Sequence, residues 1–327
     1  MKAFEFLEPS TLAEAVAALA EAGGREWAVP LAGGQDLLSE LQEHLVEPAS
    51  LVSLRGIEGL GAISVEGGGL HLGALVSLAR LARDQEVARS WAALTEAAAS
   101  VGSPQIRTQA TVGGNLCQRP RCSYFRNEHA PCLKKGGQEC FAEGGLNHAN
   151  AILGGGPSYI VHPSDLAPAL VALDAEVHIA GPGGERRQAL QAFFTLPSEG
   201  DVTRENTLAA GELVTSVAVP ALPAGVRSTY LKFQERASFD FALASVGLAL
   251  GIEDGRIEHA RVCLGGVAPT PWRCEATERL LVGEVPSEAL FQRAATDALA
   301  EADPLEHNAY KIPLTQGLLR KALRSLV

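Results

Sequence analysis

No stretch of this 327-residue chain approaches the roughly 18 consecutive apolar residues of a membrane-spanning helix. The N-terminus, MKAFEFLEPSTLAEAV, also lacks the basic start and unbroken apolar core of a secretory signal. Both absences predict a soluble, cytoplasmic chain that makes no membrane contact. Positive charge is scarce: 27 Lys and Arg stand against 38 Asp and Glu, for a net charge of -11. The resulting negative field disfavours nucleic acid and anionic lipid as partners. Two motifs are missing as well. There is no Gly-x-Gly-x-x-Gly, which argues against a nicotinamide-type Rossmann unit, and GGGLHLG reads better as a hairpin turn. There is no Cys-x-x-Cys, the tight pair on which structural zinc sites usually draw. Internal repeats and low-complexity tails are absent too.

The length predicts two domains, or three, and a composition that is 46% hydrophobic supplies a sizeable core. STLAEAVAALAEAGG carries apolar residues at helical spacing, a capping box from Thr11 to Glu14, and Gly23 and Gly24 as a stop. EWAVPLAGGQDLLSELQEHL runs from a short strand through Gly33 and Gly34 into a helix, and SLVSLRGI returns as a strand. GAISVEGGGLHLGAL fits a hairpin, and Ser77 is placed to cap one helix through LARLARDQEVARSW. Helical character breaks at Gly102 and Pro104. Strands are expected at YIVHP, in LVALDAEVHIAG and at ELVTSVAVP. PALPAG, residues 220–225, is the best linker. Beyond it three strands, the last two joined by the EDG turn, precede helices that run to the C-terminus, an α+β pattern.

Four segments carry potential chemistry. LAGGQDLL delivers two glycines from a strand to a helix start, leaving backbone N–H groups unpaired for a diphosphate; taken alone, Gly-Gly at such a place is more often an ordinary turn. TVGGNLC is a second such loop, able to close on the same anion. Cys117 to Cys140, CQRPRCSYFRNEHAPCLKKGGQEC, holds four of the six cysteines at spacing Cys-x4-Cys-x9-Cys-x7-Cys. Arg119, Arg121, Arg126, Lys134 and Lys135 surround these thiols and would stabilise thiolates. Spacing alone leaves an iron-sulfur cluster, zinc and a solvated reduced loop all open. HPSDLAPALVALDAEV reads as a turn at Pro163 and a helix capped by Ser164 or Asp165, as consistent with a buried helix as with a site. In YLKFQERASFDFALASV, Lys232, Glu235, Arg236 and Asp240 fall close together, as surface ion pairs do. Cys263 and Cys274 are isolated and read as structural.

Taken in order, AGGQDLL, TVGGNLCQRPRC, HPSDLAPALVALDA, KFQERASFDFALASV and NAYKIPLTQGLLRKAL make nearly the whole chain resemble the FAD-binding medium subunit of the molybdenum hydroxylases, the family of xanthine dehydrogenase, carbon monoxide dehydrogenase and bacterial aldehyde oxidoreductases. The resemblance implies an α+β fold: a vanillyl-alcohol-oxidase-type FAD-binding domain of two subdomains, residues 1–56 and 57–219, and a C-terminal domain, residues 220–327, with a three-stranded antiparallel sheet and helices. By the same resemblance the backbone of Ala32, Gly33, Gly34, Gln35 and Asp36 holds the FAD diphosphate. Thr111, Val112, Gly113, Gly114 and Asn115 hold it from the other side, Asp165 approaches the flavin's sugar chain, and Lys232 reaches towards the isoalloxazine.

The cysteine loop, residues 117–158, resembles the extra 4Fe-4S loop of 4-hydroxybenzoyl-CoA reductase and of periplasmic-type aldehyde oxidoreductases. Cys122, Cys132 and Cys140 match three ligands of that loop. The fourth position is occupied here by Ser158, whose oxygen is a harder donor than thiolate. Ser158 ligates, or Cys117 substitutes, or a three-iron cluster forms, or none does. The family role implied is that of a flavin electron-transfer subunit in a heterotrimer. A molybdopterin-binding large subunit and a 2Fe-2S small subunit would be its partners, FAD would pass electrons to an external acceptor, and no catalytic acid or base would be needed on this chain. A self-sufficient FAD-dependent oxidase or dehydrogenase and a zinc-stabilised interaction module are the alternatives.

Overall fold

The computed structural model describes residues 1–21 and 28–327. Its N-terminal unit is a parallel sheet of β1 (Glu5–Leu7), β2 (Ala28–Leu31) and β3 (Ser50–Ser53) in the order β1-β3-β2. The helix Leu12–Glu21 covers one face, burying Ala15 and Leu19 against Val52 and Leu54. It starts where the capping box requires: Glu14 N donates to Thr11 Oγ1 at 3.2 Å and Thr11 N to Glu14 Oε2 at 3.3 Å. The stop expected at Gly23 and Gly24 lies outside the described residues. Parallel pairing needs a crossover between strands, so the Gly33–Gly34 loop is delivered at the end of β2, ahead of the helix Leu37–Gln42.

The second unit is an antiparallel sheet of β4 (Ile63–Glu66), β5 (Gly69–Gly73), β6 (Glu176–Gly181), β7 (Gly184–Ala189) and β8 (Leu213–Val219), ordered β4-β5-β8-β6-β7. The expected hairpin is β4–β5, turned by Gly67 and Gly68, both at positive φ. Leu70, Leu72, Val177 and Val217 from this sheet meet Leu78, Leu94, Leu116 and Leu170 from helices in one core. Each such fully buried side chain contributes about 1.5–3 kcal/mol. Two expectations are corrected here. LARLARDQEVARSW forms two helices, Leu78–Leu81 and Gln85–Ser90, because Asp84 Oδ1 accepts from Glu86 N and Val87 N and starts a new one. YIVHP forms no strand; His162 N bonds to Ala268 O instead, at 3.0 Å.

The C-terminal unit is antiparallel: β9 (Val226–Phe233), β10 (Ala244–Glu253), β11 (Arg256–Gly265) and β12 (Trp272–Arg273), ordered β12-β11-β10-β9. The fourth strand, absent from the sequence reading, is only two residues long and pairs with Cys263 and Leu264. The helices Glu275–Leu281, Glu288–Asp297 and Lys311–Ser325 share a core with this sheet. The helix Leu166–Ala172 of the second unit packs so close to the same sheet that a Cβ on Gly247 would stand 2.5 Å from Pro168 O. Residues 220–225 connect β8 to β9. Among the described residues no helix is long and apolar enough to cross a membrane.

Candidate functional site

A cleft of about 1090 Å³ runs between these units, lined by Ala32 to Asp36, by Thr111, Gly114 and Asn115, and by Asp165. At its first wall the N–H groups of Gly33, Gly34, Gln35 and Asp36 donate to no protein acceptor among the described residues. Gly34 holds φ +70, a conformation that favours glycine. The second wall is more self-contained. Val112 N and Gly113 N donate to Val76 O and Ala74 O, so these two residues anchor the loop and do not line the cleft. Thr111 caps the short helix Val112–Leu116, its Oγ1 accepting from Gly114 N at 3.2 Å. Asn115 Oδ1 accepts from Ser164 Oγ at 2.6 Å, which ties this wall to the HPSD turn. The donor-rich first loop and the cleft volume fit a diphosphate-containing cofactor.

A dense charge network underlies the first loop. Asp36 Oδ2 accepts from Arg119 N at 2.6 Å, and Oδ1 lies 2.7 Å from Arg126 Nη2 and 2.9 Å from Arg121 Nη2. Glu205, buried, pairs with Arg119 at 3.0 Å and Lys134 at 3.2 Å. Burial alone would raise the Glu205 carboxyl, but the Arg119 and Lys134 charges hold it below the ordinary carboxylate value. Glu40 is pushed up to about 7 by burial and by the charge of Asp36, which outweigh Arg119 and Arg126. The sequence reading assigned Arg119, Arg121, Arg126 and Lys134 to the thiols. The structure turns them towards carboxylates, and neither Asp36 nor Glu205 had a local signal announcing that pairing.

Asp165 and Lys232 are brought together as a buried ion pair of 2.8 Å, with Tyr230 OH donating to Asp165 Oδ1 at 2.6 Å. Burial raises the Asp165 carboxyl against the opposing pull of Lys232 and Tyr230. Lys232 departs from its expected role. Its ammonium donates to Asp165, Ser100 O and Asp240 O, and it does not line the cleft. It is a bracket between β9, the Asp240 turn and Asp165, where surface ion pairs had been expected. Phe239 and Phe241 line the cleft and were missed, being indistinguishable in sequence from strand residues.

The cysteine segment is compact. Cys132 and Glu139 form a backbone bridge, which sets Cys140 beside Cys132. Asn150 Nδ2 points at Cys122 Sγ at 3.7 Å and donates to Tyr159 O at 2.9 Å, so the Ser158 stretch adjoins Cys122. Burial raises the Cys132 thiol, opposed by the Lys135 charge and by the backbone N–H groups of Lys135 and Lys134. Ser158 is buried. Among the described residues no group of three or more His, Cys, Asp or Glu side chains is spaced to hold a single metal ion.

Three units around a glycine-walled cleft suit a diphosphate-containing cofactor, and comparison with known proteins gives the family. Residues 2–222 match the FAD binding domain in molybdopterin dehydrogenase, and residues 229–326 match the CO dehydrogenase flavoprotein C-terminal domain. The chain is 37% identical to the aldehyde oxidoreductase FAD-binding subunit PaoB of Escherichia coli, covering 99% of this chain and 98% of that one. It is 27% identical to the carbon monoxide dehydrogenase medium chain of Hydrogenophaga pseudoflava, covering 98% and 96%. Among solved structures, the reconstituted CO dehydrogenase from Oligotropha carboxidovorans superposes with a TM-score of 0.79 over 99% of this chain and 97% of that one, at 24% identity. Quinoline 2-oxidoreductase from Pseudomonas putida 86 gives 0.77 over 100% and 98%, at 26% identity. The chain therefore belongs to the FAD-binding subunits of the molybdenum hydroxylase (molybdopterin dehydrogenase) family, an oxidoreductase subunit with the mixed α+β fold expected.

Proposed function

We propose that this chain carries FAD in its cleft and serves as the electron-transfer subunit of a heteromeric molybdenum hydroxylase. The observation that carries the reading is the run of unpartnered N–H groups at Gly33, Gly34, Gln35 and Asp36, facing Thr111 across a cleft of about 1090 Å³. Ala32 to Asp36 would hold the diphosphate, with Thr111, Gly114 and Asn115 opposite, and Asp165 would sit along the sugar chain. Lys232 acts indirectly, by holding Asp165. Bound FAD would supply storage of two electrons, taken up from partner clusters and released to an external acceptor. A molybdopterin-binding large subunit and a 2Fe-2S small subunit are the proposed partners; similar proteins named as medium chains support this. The proposed division is an FAD domain over 1–219 and a second domain over 220–327. A cytoplasmic location fits the lack of any disulfide among the described residues.

Within the same reading, Cys122, Cys132 and Cys140 hold a 4Fe-4S cluster, with Ser158 as the fourth donor. Their support is the Cys132–Glu139 bridge, the contact of Asn150 with both Cys122 and Tyr159, and the N–H groups of Lys134 and Lys135 directed at Cys132. Such donors stabilise ligating thiolates.

The absorption spectrum of the purified chain, with a fluorescence titration of apoprotein by FAD, tests the first claim; a colourless chain that takes up no FAD overturns it. Co-purification of two further subunits is expected from the native host. Iron and sulfide analysis with electron paramagnetic resonance, on anaerobic wild type and Ser158→Cys, tests the second. Iron-free protein from both would remove the cluster.

A further inference from the structure

The segment that carries the cysteines is also the clamp on the first glycine loop. Asp36 closes that loop, and among the described residues all its side-chain partners come from residues 119–126: the Arg119 N–H at 2.6 Å, the Arg121 guanidinium at 2.9 Å and the Arg126 guanidinium at 2.7 Å. Arg126 ends the short helix Ser123–Arg126, and its N–H donates to Cys122 O at 3.0 Å, so Cys122 and Arg126 are fixed one turn apart. Its guanidinium is also held by Pro120 O and Arg119 O. Glu40, on the helix following the glycine loop, and Glu43, which caps its C-terminal end, lie 3.5 and 3.9 Å from the same guanidinium. Arg119 and Lys134 then hold Glu205, next to the cleft-lining Arg204. One irregular segment thus fixes two walls of the cleft.

We propose that Arg126, with Arg119 and Arg121, positions the diphosphate-binding loop through Asp36, so that the cysteine segment shapes the FAD site whether or not it carries a cluster. The physical reason is geometric. Unpartnered N–H groups in a loop do not hold one direction by themselves, because nothing among the described residues accepts from them. A carboxylate at the end of the loop, fixed by a backbone N–H and two guanidinium groups, sets that direction before a ligand arrives. This is preorganisation, which raises affinity by removing the cost of ordering. Arg126 is a positioning residue here: it does not line the cleft, its Nε and Nη2 donate to Pro120 O, Asp36 and Arg119 O, and its buried Nη1 makes no hydrogen bond among the described residues.

The inference rests on the FAD reading, and a double-mutant cycle on the full chain separates the two. FAD dissociation constants are measured by fluorescence titration for wild type, Asp36→Asn, Arg126→Gln and the double variant, with the melting temperature of each apoprotein. Each single substitution is expected to weaken FAD binding about tenfold or more, with the double no weaker than the worse single. Arg126→Lys, which keeps the charge and loses the planar fork, is expected to recover part of the affinity. Additive losses, or melting temperatures that fall while FAD affinity holds, overturn the proposal. A wild-type chain that binds no FAD overturns the function above it instead.

Discussion

Gly33 and Gln109 meet backbone to backbone: a Cβ placed on Gly33 would stand 2.0 Å from the Gln109 carbonyl oxygen. The two walls of the cleft touch there, and the glycine is required by that contact before any ligand is considered. Gly33→Ala is expected to force the walls apart, costing about 2–3 kcal/mol of stability. FAD retention should fall by about tenfold or more, since the donors move off their anion. Denaturant unfolding and the flavin-to-protein ratio after gel filtration check both effects. Wild-type flavin content in this variant would contradict the geometry.

Lys232 and Asp165 give a second outcome. Lys232→Met leaves a fully buried carboxylate without its cation, a loss of roughly 3–5 kcal/mol, lessened where Asp165 takes up a proton. The double variant Lys232→Met, Asp165→Asn should recover much of that stability. Chemical denaturation of apoprotein shows whether it does. A direct contact of Lys232 with the flavin would instead leave apoprotein stability untouched and shift only the flavin spectrum.

Glu40 should make FAD binding pH-dependent. Its carboxyl titrates at about 7, in a position that lines the cleft near Asp36. Below 7 it is neutral. Above 7 it adds a negative charge beside the diphosphate loop, so affinity is expected to decline as pH rises through 7, by at most about tenfold per unit. Calorimetric titrations roughly one pH unit either side of neutrality should differ for wild type and coincide for Glu40→Gln.

Lys311 is buried on the C-terminal helix, its ammonium donating to Ala149 O and Gly266 O. Burial lowers it from the ordinary 10.5 to about 7. Between those values the unfolded chain holds a proton that the folded chain has released, so stability rises with pH across that window. Below 7 both states are protonated and the contribution is flat. Relative to Lys311→Met, wild type should gain up to about 1.4 kcal/mol per pH unit above 7, read from urea unfolding at successive pH values.

Much of this molecule is legible in its residues because the governing interactions are local. The Thr11 to Glu14 capping box and the Gly67–Gly68 hairpin turn each depend on neighbours a few positions away. Asp84 restarting a helix was equally local and was read past. The two-residue strand Trp272–Arg273 was not legible, because a strand so short has no period and exists only through its partner, Cys263 and Leu264.

The site divides in the same way. Sequence by itself determined the glycine loops, the cysteine spacing and the family, since each is a pattern of residue types along the chain. Only the tertiary structure decided what the charges do. Lys232 turns inward to Asp165, and Arg126 crosses 90 positions to Asp36. A long cationic side chain can serve any carboxylate within its reach, and which carboxylates come within reach is fixed by the packing of distant segments, not by the order of residues.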